Sequence, residues 1–304
     1  MFTRKQWDVL LVDDEPDMLA ISRLVLKQIQ VYGIPIKIHE YTNKADAIKY
    51  LQVTAERSDL SLAIIDVVME TEHAGLDVCR CIREDLNNRV TPIVVRTGQK
   101  DKAPEREVIK RYDISTYLTK VEATNEKLYA TVVNAIREYQ YTRFCEVLLY
   151  MINQIILMGK AREAVVRGVP DLMRRIMRHR DGKPMDYSPY HFCFLTEGES
   201  ISVGKFVGQE AEARTLRDQL AKEPSRVINS NGDRFMRASD HMLISLAHTD
   251  DIRSFDMIGK TNFQPMPDYM LRATATLAQC VRDVWILADK RQRTSTEASG
   301  AELR

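Results

Sequence analysis

Asp13 and Asp14 follow the apolar run Val9 to Val12, and Asp66 follows Leu62 to Ile65. Thr97 follows Ile93 to Arg96, and Lys120 follows Ser115 to Thr119. Taken singly, an Asp, Thr or Lys after such a run is ordinary, since these residues commonly cap helices or sit in loops. Taken together they are a chemical set. If Asp13, Asp14, Glu15 and Asp66 lie close to one another, mutual repulsion drives their pKa values up unless a cation neutralises them. A hard divalent ion such as magnesium, which demands oxygen ligands, meets that need.

The elements that must bring these residues together are legible in the same stretch. WDVLLV, IPIKIHEY, LSLAIID, TPIVVR and ISTYLT are short, rich in β-branched residues, and separated by segments of helical period. Their continuous apolar character implies burial on both faces, and helix-length connections imply parallel crossovers, so the expected architecture is a doubly wound α/β sheet. Pro16 marks the start of a first helix, where its missing N–H costs nothing. Asn43 and Thr91-Pro92 punctuate later boundaries. In a parallel sheet the polar residues above all fall at the carboxyl ends of strands, where ligands bind.

An acidic pair, a central Asp, a Thr and a Lys in this order and spacing resemble the receiver domains of bacterial two-component response regulators. Gly75-Leu76 after the central Asp, and Tyr117 three residues before Lys120, belong to the same pattern. The resemblance implies a flavodoxin-like domain over residues 1–123, with five strands in the order 2-1-3-4-5. It further implies that Asp66 is the phosphoacceptor, attacking the phosphorus of a phosphohistidine or of a small acyl phosphate. Mg2+ would be held by Asp14, Asp66 and the Val68 backbone carbonyl, with Asp13 acting through water. Thr97 and Lys120 would contact the phosphoryl oxygens, and Tyr117 would be the switch aromatic. A sensor histidine kinase or phosphotransfer protein is the implied partner.

Three positions depart from the pattern. Val121 stands where a Pro preceded by a cis bond is usual; a cis bond before Val would cost ~2.5 to 4 kcal/mol, so a trans bond and an altered loop are expected. The stretch VVMETEHAG after Asp66 is longer than usual and has Glu70 where Pro is common. Val68 has no polar side chain to orient a hydrolytic water, which predicts a long-lived phosphoryl group.

Composition excludes some outputs. The 304 residues carry 44 Lys plus Arg against 43 Asp plus Glu, a net charge of +1 that gives no global field for nucleic acid or an anionic membrane. The longest apolar stretch, Phe144 to Met158, contains Glu146, Asn153 and Gln154 and is too short and too polar for a span. A cytoplasmic location without a membrane anchor is expected. Cys79, Cys81, Cys145, Cys193 and Cys280 show no paired spacing and are expected as reduced thiols. His39, His73, His179, His191, His241 and His248 lack metal-ligand spacing. No helix-turn-helix is evident, so DNA binding is not expected.

Beyond the first domain, a helical pattern without a break predicts a connector helix over 124–160. Its stripe of Phe144, Val147, Leu148, Met151, Ile155 and Met158 and an adjacent one of Cys145, Leu149, Ile152 and Ile156 call for two neighbours. A homodimer bundle is one solution; a helix buried within one chain is the other. After a helical segment bearing Arg174, Arg175, Arg178 and Arg180 come the strand-like runs HFCFLTE, SISVGKFVG, SRVINS, DRFMRA and HMLISLAH, with a helix near Gln209 to Lys222. Asn231-Gly232 signals a hairpin, both residues tolerating positive φ. Asp268 caps a last helix to about Lys290, and 291–304 is expected as a disordered tail.

This order of elements resembles a divergent GAF-like α+β domain over 161–290. Together with METEHAGLDVCR and RTGQKDKAPEREVIKRYDI in the first domain, it is similar to an uncharacterised module found between receiver and HD-GYP phosphodiesterase domains, although no HD-GYP or GGDEF signature is present here. The resemblance implies a response regulator whose phosphorylation alters homodimer or downstream protein contacts, with no enzymatic activity beyond handling its own phosphoryl group. A small-molecule sensor tuned by phosphorylation, or a phosphate sink, are the alternatives.

Overall fold

The computed structural model describes residues 5–54, 60–98, 105–158, 191–196, 200–204, 210–247, 255–261 and 263–301. Among these, two compact units form: Lys5–Arg143 is one, and the described residues from Phe144 onward belong to the other.

In the first unit a six-stranded sheet has the order β2-β3-β1-β4-β5-β6. Strands β1 (Trp7–Val12), β3 (Ile34–Tyr41), β4 (Leu60–Asp66), β5 (Ile93–Thr97) and β6 (Thr116–Thr119) are mutually parallel. They are the five strands expected, in the order expected. Helices α1 (Pro16–Leu26), α2 (Lys44–Thr54), α3 (Ala74–Arg80) and α4 (Glu105–Tyr112) alternate with them. The apolar runs are continuous because both sheet faces are covered: Val9 to Val12 and Leu62 to Ile65 are fully buried. The fold is flavodoxin-like α/β.

The additional strand, β2 (Gln30–Val31), pairs antiparallel with β3 at the sheet edge. Tyr32 and Gly33, with φ of 55° and 75°, make the two-residue turn between them, a conformation that matches strand twist but is unusual for tyrosine. Pro16 occupies the first turn of α1, as its chemistry requires. Asn43 caps α2: its Oδ1 accepts the Asp46 N–H at 2.9 Å while its amide donates to the Asp46 carboxylate at 2.8 Å.

One helix, α5, runs without interruption over Asn125–Met158. Among the described residues no helix is long and apolar enough to cross a membrane. Of its expected apolar stripes, Phe144 is buried, packing edge-on to Tyr269 at 5.9 Å, whereas Leu149 is exposed. The side chains of Val147, Met151, Ile155, Ile156 and Met158 lie outside the described residues, as do the whole of Arg174, Arg175, Arg178 and Arg180.

The second unit contains a six-stranded antiparallel sheet, β8-β7-β12-β11-β10-β9. Its strands are β7 (His191–Leu195), β8 (Ser200–Gly204), β9 (Arg226–Val227), β10 (Arg234–Ala238), β11 (His241–Ser245) and β12 (Asp256–Lys260), with α6 (Glu210–Leu220) and α7 (Asp268–Ala301) as its helices. Strand β12 was not expected from the sequence: DMIGK is short, and Gly259 weakens its strand character, yet it pairs with both β7 and β11. The Asn231-Gly232 hairpin forms, but only Gly232 takes positive φ, at 85°. Asp233 widens the turn: its carboxylate accepts N–H groups from Asn229, Ala247 and Gln279 at 2.9, 2.8 and 2.6 Å.

Helix α7 continues to Ala301, so 291–301 is helix and not the disordered tail expected. TSTEASGA holds no proline, and once a nucleus exists each added residue gains a hydrogen bond, so a helix already anchored by its apolar face extends through weak formers.

Candidate functional site

Register assembles the site. Val12 lies opposite Ile65, so the next residues, Asp13 and Asp66, leave adjacent strands at the same level. Asp66 pairs with Arg96, and Thr97 with Thr119, which sets Thr97 and Lys120 on the same rim. The Lys120 N–H also donates to the Thr97 carbonyl at 2.9 Å.

Asp13, Asp14, Glu15 and Asp66 each place a carboxylate oxygen within 4.8 Å of the others. Asp13 and Asp66 are sealed at the sheet edge, 0% and 1% exposed, while Asp14 and Glu15 face outward. The Lys120 ammonium enters this cluster, 2.7 Å from Asp66 Oδ2, 2.6 Å from Glu15 Oε1 and 3.5 Å from Asp13 Oδ1. Asp66 Oδ1 is buried without a hydrogen-bond partner. Crowded hard oxygen donors, one of them buried and unsatisfied, fit a hard divalent cation. Val68 lies two residues past Asp66 and is partly buried against the core.

Burial pushes the Asp66 carboxyl up to about 6; the Lys120 bond opposes this, the Asp13 charge adds to it, and the Val68 N–H lowers it again. Burial alone would lower the Lys120 ammonium, but its bonds to Asp66 and Glu15 and the charges of Asp66 and Asp13 hold it above its ordinary value. At neutral pH the site therefore presents an ionised carboxylate beside a charged ammonium.

Gly75 is required by close approach. Its N–H donates to the Val67 carbonyl at 3.1 Å, and a Cβ built there would fall 1.8 Å from the Asp66 carbonyl oxygen. The glycine thus lets α3 press against the strand that ends in Asp66.

The loop after Lys120 has a device of its own. The Lys120–Val121 bond is trans; the cis bond among the described residues is Gln264–Pro265. Glu122 Oε2 accepts both the Thr119 N–H at 3.1 Å and the Thr119 hydroxyl at 2.6 Å, and the Ala123 N–H closes onto the Thr119 carbonyl at 3.0 Å. Val121 projects outward, 90% exposed. After Asp66, Glu70 turns toward α2, where its carboxylate accepts the Lys44 N–H at 2.9 Å, a favourable place for an anion. Tyr117 sits on β6, partly buried against the core, and burial with the nearby Glu105 raises its phenol.

The structure thus brings together Asp13, Asp14, Asp66 and Lys120, with Thr97 buried on the same rim. Sequence reasoning missed Arg96. It is 1% exposed and donates to Asp13 Oδ2 at 3.0 Å and to the Ser22 hydroxyl at 2.7 Å. The signal was available: an arginine inside a strand buried on both faces must find an acid.

Residues 9–132 match the response regulator receiver domain family. A 3'3'-cGAMP-specific phosphodiesterase of Vibrio cholerae is 46% identical over 140 residues, which is 46% of this chain but only 26% of that protein. Among solved structures, the signal receiver domain of an HD domain-containing protein from Pseudomonas fluorescens aligns over 47% of this chain and 96% of that one, at 18% identity and a TM-score of 0.38. A response regulator receiver protein from Sinorhizobium medicae aligns over 44% and 98%, at 18% identity and a TM-score of 0.36. With its strand order, its acidic rim and the family match in accord, the segment 9–132 is a response regulator receiver domain of two-component signalling.

Proposed function

We propose that this chain is a response regulator in which Asp66 accepts a phosphoryl group from a histidine kinase or phosphotransfer protein, and that the second unit transmits the result. The observation that carries the reading is the setting of Asp66: one oxygen on the Lys120 ammonium at 2.7 Å, the other buried and unsatisfied, with Asp13 and Asp14 beside it.

Asp13, Asp14 and Asp66 are the side chains that would hold Mg2+, together with the Val68 carbonyl. The ion's chemistry there is to disperse negative charge on the transferring oxygens. The rest is done by the chain. The Asp66 carboxylate attacks phosphorus, the bond to the donor nitrogen or acyl oxygen breaks, and an acyl phosphate forms on the aspartate. Lys120, already committed to the Asp66 carboxylate, follows the charge onto the phosphoryl oxygens, and the Thr97 hydroxyl supplies a further donor. Catalysis by this chain is limited to handling its own phosphoryl group. The phosphodiesterase activity named for the Vibrio protein stays with that protein.

The second unit is proposed as a GAF-like output domain that changes homodimer or downstream protein contacts. Its antiparallel sheet, with a helix between the second and third strands and another at the end, supports that assignment. Treating the full chain with acetyl phosphate and Mg2+ should add the mass of one phosphoryl group to the wild type and none to Asp66→Asn. An unchanged wild-type mass would refute the reading.

A further inference from the structure

Two cations meet Asp13, and they are of different kinds. Lys120 reaches it across the pocket with a long, flexible side chain that retains 16% exposure. Arg96 reaches it from inside the protein, through a guanidinium closed off from solvent at 1% exposure and fixed at two points, the Ser22 hydroxyl on α1 and Asp13 Oδ2. A guanidinium does not deprotonate in proteins, so this charge is permanent. Lys120 can leave for a phosphoryl group; Arg96 cannot follow.

We propose that Arg96 is a built-in counterion of the acidic cluster, which keeps Asp13 in place when no metal is bound and lowers the affinity of the site for divalent cations. The proposal rests on reading the cluster as a Mg2+ site. Four carboxylates confined within 4.8 Å would repel one another. Arg96 offsets one of those charges without occupying the pocket. It also holds Asp13 Oδ2 and so turns Oδ1 to the cluster, where it accepts the Glu15 N–H at 3.1 Å. A divalent ion entering beside a fixed positive charge binds less tightly than one entering the carboxylates alone.

The position is otherwise hard to account for. Ile93, Val94 and Val95, the preceding residues of β5, are apolar and fully buried. An aliphatic side chain at 96 would continue that pattern with no desolvation cost, since a buried ion pair is commonly no more stable than a well-packed apolar replacement. Stability alone does not explain an arginine here, whereas control of the charge in the neighbouring cluster does.

The test is Mg2+ titration of the full chain by calorimetry, with thermal unfolding followed in EDTA and in saturating Mg2+, for wild type, Arg96→Met, Arg96→Gln and Arg96→Lys. Arg96→Met should bind Mg2+ about tenfold more tightly, from the loss of one nearby positive charge. Its unfolding temperature should rise more on adding Mg2+ than that of the wild type. Arg96→Gln, which keeps hydrogen-bonding capacity without charge, should behave the same way and serves if the Met variant does not fold. Arg96→Lys should keep an affinity within about twofold of wild type. Equal or weaker Mg2+ binding by the neutral variants overturns the counterion role while leaving the metal site standing. A wild type that binds no Mg2+ overturns both.

Discussion

At Asp66, two demands are in conflict. The nucleophile it is proposed to be must be ionised, yet position at the buried end of β4 raises its pKa from 3.8 to about 6. The sign of the resulting pH dependence follows. Because the folded-state value lies above the ordinary one, the stabilisation tied to this group is fully present below about pH 4 and is lost as pH rises through 6. Denaturant unfolding in EDTA should therefore show a loss of roughly 3 kcal/mol between pH 4 and 7 from this residue. Asp66→Asn should remove that part of the slope, and Mg2+ at pH 7 should restore stability to the wild type. The buried thiols give a simpler case. Burial pushes Cys79 up to about 12 and Cys81 up to about 11, so neither should react with iodoacetamide in the native protein at pH 8, as peptide mass mapping would show.

The elements work through close approach and through fixed turns. Helix α3 can lie against the end of β4 only because residue 75 lacks a Cβ. Gly75→Ala should cost at least about 2 to 3 kcal/mol by forcing backbone apart, and should also slow phosphorylation by displacing Asp66; chemical denaturation and the acetyl phosphate reaction measure the two effects. In the second unit, Asp233 ties the β9–β10 turn to the segment after β11 and to α7 through three N–H donors. Asp233→Ala leaves those donors unsatisfied and should destabilise that unit by about 3 kcal/mol. At this scale the sequence was a good guide where periodicity and turn chemistry agreed, as in β1, β3, β4 and α1. It failed at β12 and at the end of α7. DMIGK owes its strand to partners on both sides, and the last turns of α7 propagate from an anchored helix, so both depend on neighbours that a local pattern does not contain.

For the whole molecule, the proposed function turns on how long a phosphoryl group would be retained on the first unit and on what the second would do with it. Val68 offers no side chain to hold a hydrolytic water, so the phosphorylated chain should persist for minutes or longer by phosphate-release assay, and a half-life of seconds would count against the assignment. On α5, Leu149 of the expected apolar stripes and the neighbouring Tyr150 are exposed. If they meet a second copy, light scattering should give a dimer mass at micromolar concentration, and Leu149→Glu should shift it toward monomer. The buried Phe144, by contrast, is satisfied within its own chain by Tyr269.

The sequence alone determined which residues reach the rim, because a parallel sheet delivers whatever follows each apolar run to the same edge, and run order is a local property. Asp13, Asp14, Asp66, Thr97 and Lys120 were identifiable on that ground. Only the tertiary structure decided how the charges are apportioned. That Arg96 turns inward to Asp13 and Ser22, that Glu122 closes the loop after Lys120, and that Gly75 has no room for a methyl group all depend on distances between residues far apart in the chain. Pairing across a sheet is set by three-dimensional register, which residue order constrains but does not display.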